Sequence, residues 1–265
     1  PGYASGLELR ALPPPRLSAD PGRALSRTET LLALGLFDDA ADGVPALVAG
    51  GGAQAALTRA ELMRRGSRAR ASIRAAELVV GALPPDYLPE LLPSEVRALL
   101  YPRHYAGRIG EDARRFGADP DLVLAIMREE SRFDARARSA AAARGLLQIV
   151  LTTAREVGRT LGMTGIEGED LYDPERVIPL GSKYLGDLQR DFDGNLLKAA
   201  AAYNAGPRQA ALWSRLAPSA ADDAFFASIS FAETRRYVAQ VLASYDRYRE
   251  WPADGRAAAG GARAR

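Results

Sequence analysis

Alanine and leucine recur at helical spacing through almost the whole body of this chain, while alternating runs of β-branched residues are scarce. A period near 3.6 places apolar side chains on one stripe of a helix, whereas a half-buried strand needs a period of two. The spacing therefore predicts an all-α protein. With 47% hydrophobic and 26% charged residues over 265 positions, the chain carries apolar material for one large domain or two and is not compositionally disordered.

Proline and glycine divide it. Residues 1–27 hold Pro13, Pro14 and Pro15 amid glycine and arginine, which reads as an extended linker, and 252–265 form an Ala/Gly/Arg tail. Over 28–95 the helix-sized segments SRTETLLALGLF, QAALTRAELMRRG and SRARASIRAAELVV are separated by Gly and Pro clusters, including Ala49 to Gly52. Short helices of this kind bury their faces by stacking on one another, so this stretch reads as a helical array with no fixed repeat. A second unit starts near Pro93, and a larger helical domain is expected over 96–251.

Composition narrows the chemistry. There is no cysteine and only one histidine, His104. Thiolate nucleophiles, disulfides, thiolate zinc sites, His-based metal clusters and a conventional serine triad are all excluded in practice. His104 lies between two tyrosines in LLYPRHYAGRI and reads as a packing or surface group. Chemistry must rest on carboxylates, tyrosine, and polar or backbone groups, and neither cofactor nor metal is expected. No apolar run reaches the 18 or so residues of a membrane-spanning helix. Pro1 opens a segment with neither a charged n-region nor an apolar h-region, so a targeting signal is expected to lie outside this chain. The net charge of +2 and pI of about 9.0 suit an anionic polymer. No concentrated basic patch or known module points to nucleic acid.

Asp119 followed by Pro120 reads as a helix start, the carboxylate as N-cap and the proline at the first helical position. On PDLVLAIMREESRF, Val123, Ile126 and Met127 share a stripe that Glu130 continues. Burial against apolar groups raises a carboxylic acid's pKa, as a general acid near neutral pH requires; a salt bridge or cap is the structural alternative. Glu129 lies about 100° around the helix and is expected to be a solvated surface charge. Ser139 opens SAAAARGLLQI, where a small-residue turn is expected to run through Gly145 into a helix carrying Gln148, a pattern that lets backbone approach a ligand or simply turns the chain. AAYNAGP, with Tyr203, Asn204, Gly206 and Pro207, ends an alanine-rich helix and fits a plain C-terminal stop equally well. In SISFAETRRYVAQVLASYDRY, Tyr237, Val241, Tyr245 and Tyr248 share a face that reads as packing, and Ser230 with Glu233 fits a capping box.

In order, REESRF, SAAAARGLLQI, LYDPERVIPLGSKYL, AAYNAGP and FFASISFAETRRYV resemble the successive motifs of soluble lytic murein transglycosylases, across roughly Tyr101 to Tyr248. LLYPRHY and the helical segments before it resemble the end of that family's α-superhelical region. The resemblance implies a lysozyme-like, mainly helical catalytic domain preceded by a partial superhelix, acting on the glycan strands of bacterial peptidoglycan. Residue by residue, Glu130 matches the family's catalytic glutamate. Ser139, Gln148, Tyr203 and Asn204 match positions lining the sugar groove, and Glu233 matches the glutamate of an ETR segment that also lines it. This sequence departs from the pattern at Ala142, usually Gly, and Leu147, usually Met. Leu151 and Ser230 replace frequent prolines, Ala227 a common acidic residue, and Val177 an Asn before the next helix, where Pro179 could still serve within the first turn.

The resemblance implies a single-carboxylate mechanism in place of the usual pair. Glu130 would protonate the oxygen between N-acetylmuramic acid and N-acetylglucosamine, then take the proton of the muramoyl C6 hydroxyl as it closes a 1,6-anhydro ring. Tyr203 would lie near the acid, with Ser139, Gln148 and Asn204 orienting acetamido groups. The same residues leave two rivals open: a goose-type lysozyme hydrolase, and a non-catalytic glycan-binding or scaffold module. The resemblance further implies a periplasmic or other extracytoplasmic setting, with an envelope protein complex as a further partner.

Overall fold

A computed structural model describes residues 26–44 and 52–251. The tail at 252–265 and all but the last two residues of the 1–27 linker lie outside them, as does most of the cluster from Ala49 to Gly52. Every regular element among the described residues is helical, apart from two isolated bridges. The chain divides into two compact units, Pro1–Pro102 and Arg103–Arg265.

The first unit contains α1 (Arg27–Ala33), α2 (Phe37–Asp42), α3 (Gly52–Arg65), α4 (Ala69–Gly81) and α5 (Ser94–Leu100). A capping box starts α1: the Glu29 amide donates to Ser26 Oγ at 3.3 Å and the Ser26 amide to Glu29 Oε2 at 2.8 Å. Ala40, Ala41, Val44, Ala55, Leu62 and Met63 form a buried cluster with Leu31, Leu32 and Phe37 against it. Asp38 closes the short α3–α4 connection, accepting from the amide and hydroxyl of Ser67 at 2.9 and 2.7 Å. Helix α5 packs on α4 and α3 within this unit.

The second unit contains α6 (Ala106–Phe116), α7 (Pro120–Ser131), α8 (Leu151–Thr160), α9 (Pro174–Asp191), α10 (Leu196–Ala205), α11 (Pro207–Leu216), α12 (Asp222–Ser228) and α13 (Ala232–Glu250). Its centre is α7, where all six residues from Leu122 to Met127 are buried. A helix apolar around its circumference belongs inside a core, and α13, α6 and α9 pack on it. The expected stripe of Val123, Ile126 and Met127 is therefore only part of its buried surface. Each such side chain contributes about 1.5–3 kcal/mol. Asp119 caps α7 as its sequence predicts, accepting from the amides of Asp121 at 2.9 Å and Leu122 at 3.3 Å. Its second oxygen accepts from the Tyr245 phenol at 2.8 Å.

Two expected helix starts move. Helix α9 begins at Pro174, with Asp173 accepting from the Glu175 amide at 3.0 Å. Val177 thus lies inside the helix and buried, no cap is missing there, and Pro179 falls in the interior. Ser230 and Glu233 form no capping box: the N-cap of α13 is Phe231, and the Ser230 hydroxyl accepts from Trp213 Nε1 at 3.1 Å.

Candidate active site

Glu130 sits in the last turn of α7. Arg132 and Phe133 follow with φ of 51° and 62°, left-handed values that end the helix abruptly and turn the chain into the loop 134–150. The Ser131 hydroxyl lies 3.1 Å from the Met127 carbonyl oxygen and 2.8 Å from that of Leu146, fastening this loop to the helix end. Nothing in the sequence singles out Ser131 beyond its place in REESRF.

Within the loop, the Ser139 amide donates to the Ala143 carbonyl at 3.0 Å and Ser139 Oγ accepts from the Ala143 amide at 3.1 Å. Ala142 at the tip has φ of 62°, so alanine occupies a conformation that favours glycine. Gly145, at φ of 71°, lies against Leu171: a Cβ there would stand 1.8 Å from the Leu171 carbonyl oxygen. Gln148 is on no helix. It has φ of 46°, and α8 starts only at Leu151. Backbone bridges hold the segment, Arg144 pairing with Arg138 and with Ile149, so its apolar run LLQI is buried as loop. The Gln148 side-chain amide donates to the Ala137 and Gly145 carbonyl oxygens at 3.1 and 2.8 Å.

Tyr203, near the end of α10, donates to the Leu147 carbonyl oxygen at 2.7 Å, with its ring 5.5 Å from that of Tyr184. Asn204 is exposed, and its Oδ1 accepts from Thr234 Oγ1 at 2.7 Å, which orients the carboxamide and leaves its N–H groups as donors. Gly206, with φ of 89°, and Pro207 end α10 and start α11, so AAYNAGP is a helix stop that also sets Tyr203 against the loop and Asn204 against α13. Glu233 is exposed in the first turn of α13 beside Thr234 and makes no side-chain hydrogen bond or ion pair among the described residues.

Burial raises the Glu130 pKa from 4.5 to about 7, with the neighbouring Glu129 adding to the rise and the Tyr237 hydroxyl opposing it. The residue keeps part of its surface open to solvent, so an acid held near neutrality is still reachable. Tyr237, on α13, has a buried hydroxyl that completes no hydrogen bond of ordinary geometry, yet its nearness to the carboxyl favours the ionised form. Burial and then Glu130 push the Tyr203 and Tyr237 phenols well above their ordinary range, so both stay protonated. Tyr237 belongs to the stripe expected only to pack. Tyr245 and Tyr248 do pack, and Tyr237 has the site.

Glu129 departs from expectation. Its side chain is only 11% exposed, 2.6 Å from Arg128 Nη1, and it accepts from Ser244 Oγ of α13 at 2.6 Å. The broad burial of α7 takes its surface away from solvent. No group of three His, Cys, Asp or Glu suited to a metal occurs among the described residues. No helix there is long and apolar enough to cross a membrane.

The family model described as "Transglycosylase SLT domain" matches residues 108–226, which include Glu130, Ser139, Gln148, Tyr203 and Asn204. The soluble lytic murein transglycosylase of Escherichia coli K12 is 39% identical over 128 residues, 48% of this chain and 20% of that protein. The 70 kDa soluble lytic transglycosylase structure from Escherichia coli superposes with a TM-score of 0.66 at 26% identity, covering 86% of this chain and 35% of that one. An inactive mutant of the lytic transglycosylase Slt from Pseudomonas aeruginosa gives 0.64 at 26%, covering 85% and 35%. This chain thus spans about a third or less of the length of these relatives. Residues 108–226 thus carry the likeness to the transglycosylase SLT domain, and the relatives that match are soluble lytic murein transglycosylases.

Proposed function

We propose that this protein is a lytic transglycosylase that cleaves the glycan strands of peptidoglycan with Glu130 as both acid and base. The observation that carries the reading is a carboxyl held protonated near neutrality at the accessible end of a buried helix. Glu130 gives its proton to the glycosidic oxygen between N-acetylmuramic acid and N-acetylglucosamine as the C1–O bond breaks. The resulting carboxylate takes the proton of the muramoyl C6 hydroxyl while its oxygen bonds to C1. A 1,6-anhydro ring forms, the acid is restored and no water is consumed. The adjacent Glu129 is held by Arg128 and Ser244, which supports the use of one carboxylate.

The contacts support further roles for the residues around Glu130. Tyr237 supplies a phenol to the ionised form of Glu130, and Tyr203 fixes the loop. Asn204 offers donors to an acetamido carbonyl, Gln148 and Ser139 shape the loop that faces the sugar, and the exposed Glu233, next to the Thr234 that bonds Asn204, is free to meet a polar group of the glycan. The catalytic domain is assigned to 96–251, with the helical array at 28–95 as an accessory surface suited to an envelope partner. The work is extracytoplasmic, where peptidoglycan lies. Digestion of purified sacculi followed by mass spectrometry tests the reading: muropeptides ending in 1,6-anhydro-muramic acid are expected. Products with free reducing ends would instead make the protein a hydrolase, and binding without products would make it a glycan-binding module.

A further inference from the structure

Glu129 occupies an odd place for an ion pair. Its side chain and that of Arg128 are 11% and 9% exposed, and desolvating two charges costs more than an exposed pair would. The Ser244 hydroxyl, from another helix, adds a donor at 2.6 Å to the oxygen that Arg128 already meets. The carboxylate is therefore held by two donors and lies one residue from Glu130. Adhesion of α13 to α7 does not require a charge there, since Val238 and Val241 of α13 are buried apolar side chains.

We propose that Glu129 is a positioning residue of the reaction, a fixed negative charge anchored by Arg128 and Ser244 that keeps the proton on Glu130 until the glycosidic oxygen takes it. Like charges in a weakly screened interior disfavour the second ionisation. The proposal rests on Glu130 being the acid. The groups facing that carboxyl from neighbouring elements are the phenols of Tyr237 on α13 and Tyr203 on α10. On the other helices packed against α7, Arg108 is paired with Asp112 on α6, and Lys183 with Asp187 on α9. Burial is the largest influence on Glu130, Tyr237 opposes it and Glu129 reinforces it. Glu129 is thus the increment that burial alone does not supply.

The test is the pH dependence of kcat/KM on soluble peptidoglycan fragments for the wild type, Glu129→Gln, Glu129→Asp and Ser244→Ala, together with a carbon-13 NMR titration of the Glu130 carboxyl in each protein. Glu129→Gln removes the charge, so the alkaline limb and the Glu130 titration both move to lower pH, by about half a unit or more. Activity is then lost several-fold at pH 8 and little at pH 5. Ser244→Ala gives a smaller shift in the same direction, and Glu129→Asp restores most of the wild-type value. Equal loss of activity at every pH with an unmoved Glu130 titration would overturn the proposal and leave Glu129 as packing. Should Glu129→Gln fail to fold, the Ser244→Ala titration decides alone, an unmoved midpoint again overturning it. The NMR readout needs no turnover, so it separates this proposal from the reading of the enzyme: a wild type inactive on peptidoglycan sinks the latter only.

Discussion

The Tyr203 phenol donates to the Leu147 carbonyl oxygen at 2.7 Å, joining the end of α10 to the loop after α7 across 56 residues of sequence. Because the phenol's hydrogen is committed to the backbone, Tyr203 acts on the reaction through the loop. Tyr203→Phe leaves a buried carbonyl unpaired at a cost of about 1–2 kcal/mol. The fold should survive and turnover on purified peptidoglycan should weaken. Activity equal to wild type would remove Tyr203 from the working site.

Glu130→Gln should abolish cleavage, since glutamine keeps the shape of the acid but transfers no proton, a loss of about 100- to 10,000-fold. It should also change stability with a particular pH dependence. The folded protein holds the Glu130 proton up to about pH 7, whereas an unperturbed glutamate loses it near 4.5. The native state therefore binds more protons between these values, and wild-type stability falls as pH rises through that window and levels above it. The glutamine variant lacks this slope. In urea unfolding it should match the wild type near pH 4 and exceed it at pH 8, by at most about 3 kcal/mol. A constant difference at both pH values would mean that Glu130 ionises normally in the fold.

Tyr237→Phe should move the alkaline limb of the rate profile to higher pH, opposite to Glu129→Gln, because it removes the phenol that favours the Glu130 carboxylate. The plateau rate should drop by about tenfold, the equivalent of ~1.4 kcal/mol for a hydrogen bond to a developing charge. An unmoved limb would show that the phenol serves only to fill space.

Gly145→Ala should unfold or strongly destabilise the second unit, by more than about 2 kcal/mol, since it combines positive φ with a collision against the Leu171 backbone. Gly117→Ala is the control. Its backbone is left-handed, with φ of 72° and ψ of 24°, and no atom stands within 4 Å of an added Cβ, so only about 1–2 kcal/mol of backbone strain is expected. Chemical denaturation of the two variants distinguishes crowding from strain, and equal midpoints would refute the close approach at Leu171.

Local signals were the readable ones. Asp119–Pro120, the gap-free apolar segment after it and Glu130 at its end define α7 because a cap and a helical period act within a few residues. Gln148 was misplaced on a helix because LLQI is apolar at helical density, and only the pairing of Arg144 with Ile149 and the packing of Gly145 on Leu171 make it loop. Glu129 was misjudged because its partner Ser244 lies 115 residues away. Tyr237 was hidden for a related reason. Its spacing with Val241 and Tyr245 is that of a packing stripe, and nothing in that spacing says that Tyr237 meets Glu130 on α7. The Ser230 cap failed to a competitor, Trp213, whose indole claims the hydroxyl.

The abrupt end of α7 at Arg132 has an electrical meaning. Peptide dipoles aligned along a helix sum to a partial negative charge at its C-terminal end, carried by the last unpaired carbonyls. Glu130 is the penultimate residue of that helix, so the backbone itself resists ionisation of the side chain it carries. A glutamate at the opposite end of the same helix would meet the positive pole and give up its proton readily. Placing the acid at this end enlists the whole of a buried helix in holding one hydrogen.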